Sequence, residues 1–452
     1  MTNGKDNRAI ALEILMEITQ EQEYSHLVIR NALDKIQYLP KQERAFINRL
    51  VEGTLEYMIR IDYILNQFSN VKVNKMKPVI RNILRSGVYQ LLFMDSVPDS
   101  AACNEAVKLA QKKGFYSLKG FVNGVLRNIS RDKEKISYPD KDVNVEEYLS
   151  VWYSMPQWIV KRWLCAYGAQ ITEQMLQEFL KDRPTTIRCQ LYQVDQELTI
   201  QSLKKQNVTV EKAPYLPYAY YISDYSHLAG LKSFVMGRFV VQDISSMLVS
   251  EVAHPQKGDY IIDVCAAPGG KSLHAADKMQ GYGHVDARDL TDYKVELIRE
   301  NIKRVQAINV EASRKDATIL DKDSIGKADI VLADVPCSGL GVMGKKTDIK
   351  YRVTEDRIQE LAVLQKQILH NASSYVKPGG ILIYSTCTIT AEENLDNVRW
   401  FAENYPFELE SIDPYICEEL KCETTKEGYL QLLPGIHKTD GFFIARLKRK
   451  AD

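Results

Sequence analysis

Apolar positions in the first third of the chain recur at helical spacing. Ala9, Leu12, Ile14, Leu15 and Ile18 share one stripe, and Ile80, Ile83, Leu84, Val88, Leu91 and Leu92 share another. Pro40, the turn Val97-Pro98-Asp99-Ser100 and Gly114 punctuate the run. The pattern predicts an all-α bundle of about six or seven helices from residue 6 to about 135. Charged residues 131–135 and then Tyr138-Pro139-Asp140 read as a linker. Residues 144 to about 235 are mixed. Helices are expected at 144–153, 156–167, 170–181 and 195–206, and strands at 185–191 and 207–212. Tyr215, Tyr218, Tyr220, Tyr221 and Tyr225 crowd the next segment. They suit covering a small sheet more than stacking on bases.

From about residue 236 the period alternates between strand and helix. Apolar strands are expected at 260–265, 283–289, 310–316, 329–333 and 380–386, with helices at 270–279, 291–306, 354–376 and 391–403 and a β-rich end at 441–447. This alternation predicts a doubly wound, Rossmann-like α/β domain with its ligands at the carboxyl ends of the strands. The chain is therefore expected to be multidomain: 1–140 helical, 141–235 a small α/β linking domain, 236–452 catalytic.

Composition narrows the class without naming it. The chain has 452 residues, 45% apolar and 26% charged, with net charge zero, which is ordinary for a globular protein. Charge is uneven, however: Leu65 to Arg131 carries 11 Lys and Arg against 3 Asp and Glu. Such a face suits nucleic acid or simply a solvated helical surface. Eight cysteines in a chain of this length are no disulfide scaffold, and free thiols point to a reducing cytoplasm. The start, MTNGKDNRAIALEILMEI, reads as an amphipathic helix rather than an export signal. With no run of about 18 apolar residues, no membrane span is expected. Cys417 and Cys422 lack a second Cys or His pair, so no structural metal is expected.

Candidate chemistry sits at strand ends. The first strand of the catalytic region runs into IIDVCAAPGGKS, where Gly269 and Gly270 permit close backbone approach and a helix N-terminus offers free amides. The motif is neither a P-loop nor GxGxxG, which disfavours a nicotinamide dehydrogenase. Asp263, Asp289, Asp316 and Asp334 each fall at a strand end. Four such acids around one crevice fit a cationic nucleoside such as S-adenosylmethionine. Two further strands end near thiols, Cys337 in ADVPCSGLG and Cys387 in YSTC. If the first, fourth and fifth strands are neighbours, both thiols enter the same crevice. Cytosine C5 is a poor nucleophile, and thiolate addition at C6 activates it toward a methyl donor. Asp334, three residues before Cys337, is placed to donate to ring N3, with a raised pKa as it works. Cys103, Cys165, Cys189, Cys265, Cys417 and Cys422 read as buried and inert.

DVCAAPGGKS, ADVPCSGLG, YSTC and DGFFIARL (440–447) together resemble the RNA cytosine-5 methyltransferases, specifically the RsmB (Sun/Fmu) family. The first 140 residues resemble a NusB-type RNA-binding domain, and the region around PQWIVKRW resembles the family's small linking domain. The resemblance implies methyl transfer from S-adenosylmethionine to a cytidine of small-subunit (16S) ribosomal RNA. It implies Cys387 as nucleophile and Cys337 as the thiol that assists release. It also implies a donor site built from Cys265, Ala266, Ala267, Pro268, Gly269, Gly270 and Lys271 with Asp289, Asp316 and Asp334, and a Lys271 that reaches the target nucleotide. Two positions depart from the family pattern: Arg188-Cys189-Gln190 stands for Arg-Val-Asn, and Thr347 stands where a proline often precedes Asp-Ile-Arg/Lys. Transfer RNA or another ribosomal RNA as substrate, and a non-catalytic RNA-binding or antitermination factor, are the alternatives. A monomer without metal is the default expectation.

Overall fold

A computed structural model describes residues 6–21 and 23–451; the first five residues of the stretch MTNGKDNRAIALEILMEI lie outside the described residues. The chain forms two compact units. The first runs through Lys181 and takes in a distant segment, Met343–Arg352. The second holds Asp182–Val342 and the chain from Val353 onward.

The first unit is helical. Its helices are α1 (Asn7–Gln20), α2 (Ser25–Lys35), α3 (Lys41–Glu56), α4 (Met58–Phe68), α5 (Pro78–Phe93), α6 (Asp99–Lys112) and α7 (Lys119–Arg131), followed by α8 (Val145–Trp152) and α9 (Gln157–Phe179). Both expected stripes face inward, with Leu12, Leu15, Ile83, Leu84 and Val88 at 1% exposure or less. Pro78 occupies the first turn of α5, where its missing N–H costs nothing. Two helices expected at 156–167 and 170–181 form α9, broken at Gly168, whose φ of 75° is not helical. The expected linker is packed: Arg60 lies over the Trp152 ring at 4.0 Å and donates to the Tyr138 hydroxyl.

Met343–Arg352 belongs to this unit and includes the short helix at Ile349–Arg352. Asp348 accepts from the Ser25 amide at 3.1 Å and pairs with Arg352 at 2.9 Å. Lys350, 4% exposed, donates to the carbonyls of Glu56 and Ser154, each at 2.7 Å. The Asp348-Ile349-Lys350 stretch thus serves packing within the helical unit.

The second unit carries two sheets. The smaller is antiparallel, β2-β3-β1-β4, from β1 (Thr185–Cys189), β2 (Thr209–Lys212), β3 (Ala219–Ser223) and β4 (Phe239–Val241). Tyr220 and Tyr225 pack on this sheet's core, as expected, whereas Tyr215, Tyr218 and Tyr221 pack on a core shared with the larger sheet. Cys189 and Gln190, the two residues that depart from the family pattern, are both buried, and Gln190 donates to the Val305 carbonyl at 3.1 Å, while the matching Arg188 is 1% exposed and pairs with Asp277 at 2.6 Å.

The larger sheet has the order β10-β12-β9-β8-β5-β6-β7, with β11 beside β12. Its strands are β5 (Tyr260–Asp263), β6 (His284–Asp289), β7 (Val310–Arg314), β8 (Ala328–Asp334), β9 (Val376–Thr386), β10 (Phe407–Leu409), β11 (Tyr429–Leu432) and β12 (Phe442–Arg449). Helices between them include α10 (Gly270–Lys278), α11 (Asp292–Val305), α12 (Glu355–Tyr375) and α13 (Leu395–Asn404). β5 through β9 pair in parallel and β12 runs antiparallel to β9. Parallel strands covered on both faces explain the near-continuous apolar runs. The first, fourth and fifth strands of the catalytic region are neighbours, as the crevice hypothesis requires.

Candidate active site

The donor loop begins where β5 ends at Asp263, a side chain 1% exposed that accepts from the Ser272 hydroxyl at 2.6 Å. Burial pushes its carboxyl up to about 7, and the charge of Asp334 adds to the effect. Gly269 caps α10 with φ 101°, a left-handed conformation that a Cβ would strain. Asp289, at the end of β6, holds the loop by accepting from the Ala267 amide at 2.9 Å, and pairs with Lys294 at 3.0 Å. The Cys265 thiol is pushed well up by burial, then by Asp263, Asp289 and Asp334 in turn. Three of the four strand-end acids therefore converge on one spot. β7 stops at Arg314, two residues before Asp316, whose carboxylate accepts from the Thr318 amide at 2.8 Å in the turn that follows. Three carboxylates against Lys271 and Lys294, around a glycine-opened turn, fit a ligand with a cationic centre.

Asp334, at the end of β8, is gripped from both sides. It accepts from Lys271 Nζ at 2.7 Å and from the Ser385 hydroxyl at 2.7 Å. Burial pulls the Lys271 ammonium down, but the charges of Asp334, Asp263 and Cys387 together hold it above the usual lysine value. The two sulfurs stand next to this pair. Cys337 Sγ and Cys387 Sγ are 3.3 Å apart. The contact with Cys387, then burial, then Glu393 raise the Cys337 thiol well above its ordinary range. Two thiols this close do not both ionise. The arrangement sets Cys387 within the field of the Lys271 ammonium and keeps Cys337 as a thiol.

What fixes the sulfurs was invisible in the sequence. Ser338 and Thr388, each one residue past a thiol, share a hydrogen bond of 2.7 Å. Glu393, fully buried, accepts from the Ser338 amide at 2.8 Å, from Gln365 at 3.0 Å and from Thr390 at 2.7 Å, as well as from the Ser338 hydroxyl. This is why α13 starts at Leu395 rather than at the expected 391: the residues before it turn inward to hold the thiol loops. Gly341 closes the ring. Its amide donates to the Cys387 carbonyl at 3.0 Å, and its carbonyl accepts from Gly441 at 2.9 Å. The PCSGLG, STC and DGFF motifs thus meet at one backbone junction. A Thr-x-x-Glu spacing at 390–393 was the only local signal, and it reads more simply as a helix cap.

The remaining cysteines divide. Cys103 and Cys189 are buried, as expected, whereas Cys165 and Cys422 are exposed, because their faces of the chain cover no core. No group of three metal-ligating side chains occurs among the described residues. No described helix is long and apolar enough to cross a membrane.

Comparison with known proteins bears on this geometry. Residues 250–448 match the family model described as 16S rRNA methyltransferase RsmB/F, residues 5–131 match the NusB family, and residues 155–226 match the RsmF/B-like ferredoxin-like domain. The chain is similar to the probable ribosomal RNA small subunit methyltransferase B of Bacillus subtilis, 36% identical over 98% of both chains. It is 31% identical to the corresponding Synechocystis protein over 98% of this chain and 99% of that one. Among solved structures, the crystal structure of PH0851 is similar with a TM-score of 0.82 at 26% identity, over 99% of this chain and 100% of that one. The structure of NSun6 from Pyrococcus horikoshii with SFG follows at 0.58 and 25%, over 65% of this chain and 97% of that one. Likeness along the whole length, with the donor loop and paired thiols in place, leads to one conclusion: the chain belongs to the RsmB/F family of S-adenosylmethionine-dependent 16S ribosomal RNA methyltransferases.

Proposed function

We propose that the chain methylates C5 of one cytidine in small-subunit ribosomal RNA through a transient bond between Cys387 Sγ and ring C6. The observation that carries this reading is the pair of sulfurs 3.3 Å apart beside the Lys271–Asp334 ion pair. Bound S-adenosylmethionine supplies an electrophilic methyl group. The residues supply the rest. The Cys387 thiolate adds to C6, and the electrons of the C5–C6 double bond move onto C5 as N3 takes a proton. Lys271 and Asp334 share that proton, so its donor is the pair rather than a lone protonated Asp334. C5 then forms its bond to the methyl carbon. Loss of the C5 proton restores the double bond and expels Cys387. Cys337, held as a thiol against Cys387, gives its proton to the departing Cys387 sulfur and is reprotonated by the proton released from C5, while N3 returns its proton to the Lys271–Asp334 pair.

Asp289 serves the donor site both as an acceptor for a ribose hydroxyl and as the brace of the loop Cys265–Lys271. Asp316, whose carboxylate accepts from the Thr318 amide in the turn after β7, contributes to the donor site as well. A reducing cytoplasm, where ribosomal RNA is modified, keeps both thiols from oxidising to a disulfide. The test is a denaturing gel of Cys337→Ala protein incubated with unmethylated small-subunit RNA and S-adenosylmethionine. A covalent protein–RNA band that vanishes in the Cys337→Ala/Cys387→Ala variant is expected. No band, with the wild type active on the same RNA, overturns the two-thiol reading.

A further inference from the structure

A cavity of about 290 Å³ opens in the helical unit at the turn between α4 and α5, and its walls are cationic. Lys72, Arg81 and Arg85 line it, against a single carboxylate, Asp62. That carboxylate is already committed: Arg85 Nε donates to Asp62 Oδ1 at 2.7 Å, and a second guanidinium nitrogen reaches Oδ2 at 2.5 Å. Arg81 is left over. Its Nε is buried without a hydrogen-bond partner, and no carboxylate among the described residues pairs with Arg81 or Lys72. Burial and the neighbouring Arg85 charge both disfavour the Arg81 guanidinium, and Asp62 offsets them only in part.

The local helix makes this harder to explain as packing. α5 starts at Pro78 with Lys77 as its cap and has no acidic residue in its first turn. A helix N-terminus favours anions and disfavours cations. Lys72, Lys75, Lys77 and Arg81 nevertheless gather there. An anion in the cavity would pair with the unpartnered guanidinium, balance Arg85 and sit at the favourable helix end together. The volume admits a tetrahedral anion with several waters, since one water takes about 30 Å³. Asn66 and Asn74 add polar wall.

We propose that this cavity is a phosphate-binding pocket, with Arg81 and Lys72 as its free cations, and that the phosphate it takes is one in the backbone of the RNA substrate. The RNA source rests on the function proposed above; the phosphate chemistry does not. The experiment compares full-length wild type, Arg81→Gln, Arg81→Lys and Lys72→Gln. Fluorescence anisotropy with a labelled small-subunit RNA fragment is recorded at several salt concentrations, and calorimetry follows inorganic phosphate alone. Arg81→Gln is expected to weaken RNA binding about tenfold at low salt and to lower the log–log salt slope by about 0.7–1, while Arg81→Lys keeps the slope. Methyl-donor binding should be unchanged in every variant, which shows that they fold. Phosphate binding lost in Arg81→Gln with RNA binding unaltered assigns the pocket to free phosphate instead. If wild type ignores the RNA but binds phosphate through Arg81, the substrate reading fails and the pocket stands. Equal RNA slopes and equal phosphate binding in wild type and Arg81→Gln overturn the proposal.

Discussion

Cys337 and Cys387 come from strand ends 50 residues apart in sequence, yet their sulfurs lie 3.3 Å from each other. That separation is too long for a disulfide, whose sulfurs are ~2.0 Å apart, and short enough that one sulfur acts as proton donor to the other. Iodoacetamide should therefore label the pair in two phases. Cys337 is expected to be the slow member, because contact with Cys387 and burial raise it. Mass-resolved peptide mapping across pH checks this, and equal labelling of both thiols at every pH would show that they titrate independently.

Glu393 offers a way to disturb the thiols without touching them. It accepts hydrogen bonds from Ser338, Gln365 and Thr390, and a glutamine there would turn two donors toward donors. Glu393→Gln should slow turnover about tenfold, leave the donor dissociation constant unchanged and let the covalent RNA adduct accumulate. A variant that loses turnover with no adduct would place Glu393 in general folding rather than in positioning Cys337.

Asp289 braces the donor loop through the Ala267 amide. Asp289→Ala leaves that amide and Lys294 unpaired, so the dissociation constant for S-adenosylmethionine should rise about tenfold or more. Calorimetry gives the number directly. An unchanged constant moves both loop bracing and ribose contact to other residues.

Gly341 is a close backbone approach. A Cβ there would lie 1.9 Å from the Gly441 carbonyl oxygen, so the junction of three motifs must open to admit it. Gly341→Ala should lower the stability of the catalytic unit by about 2–4 kcal/mol, read as an earlier urea midpoint. A midpoint equal to wild type would mean that the junction yields without cost.

Lys350 sets a pH dependence in the helical unit. Burial lowers its pKa from 10.5 to about 7, and a neutral amine has two N–H groups for its two carbonyl partners. Between about pH 7 and 10.5 the unfolded chain therefore carries the extra proton, so stability rises with pH across that window and its deficit is complete below pH 7. Lys350→Met should flatten this part of the profile in urea titrations compared with wild type. A parallel profile for the two proteins would show that Lys350 stays charged when folded.

Much of this protein was legible in its sequence, because periodicity and turn chemistry act over a few residues. The stripes of α1 and α5, the apolar strands and the Gly269 turn follow from local sterics and burial, and each appears within a few residues of its expected place. The four motifs of the catalytic region were readable for the same reason: each is one strand end with its loop. Tertiary structure decided what lies between them. The sequence could not show that Glu393, spaced like a helix cap, would be buried under Ser338, or that Asp263, Asp289 and Asp334 would gather around Cys265. Nor could it show that Met343–Arg352, flanked by catalytic motifs, would pack with the helical unit through Asp348 and Lys350. Hydrogen-bond partners and charge pairs are chosen by proximity across tens to hundreds of residues, and no local pattern encodes that proximity.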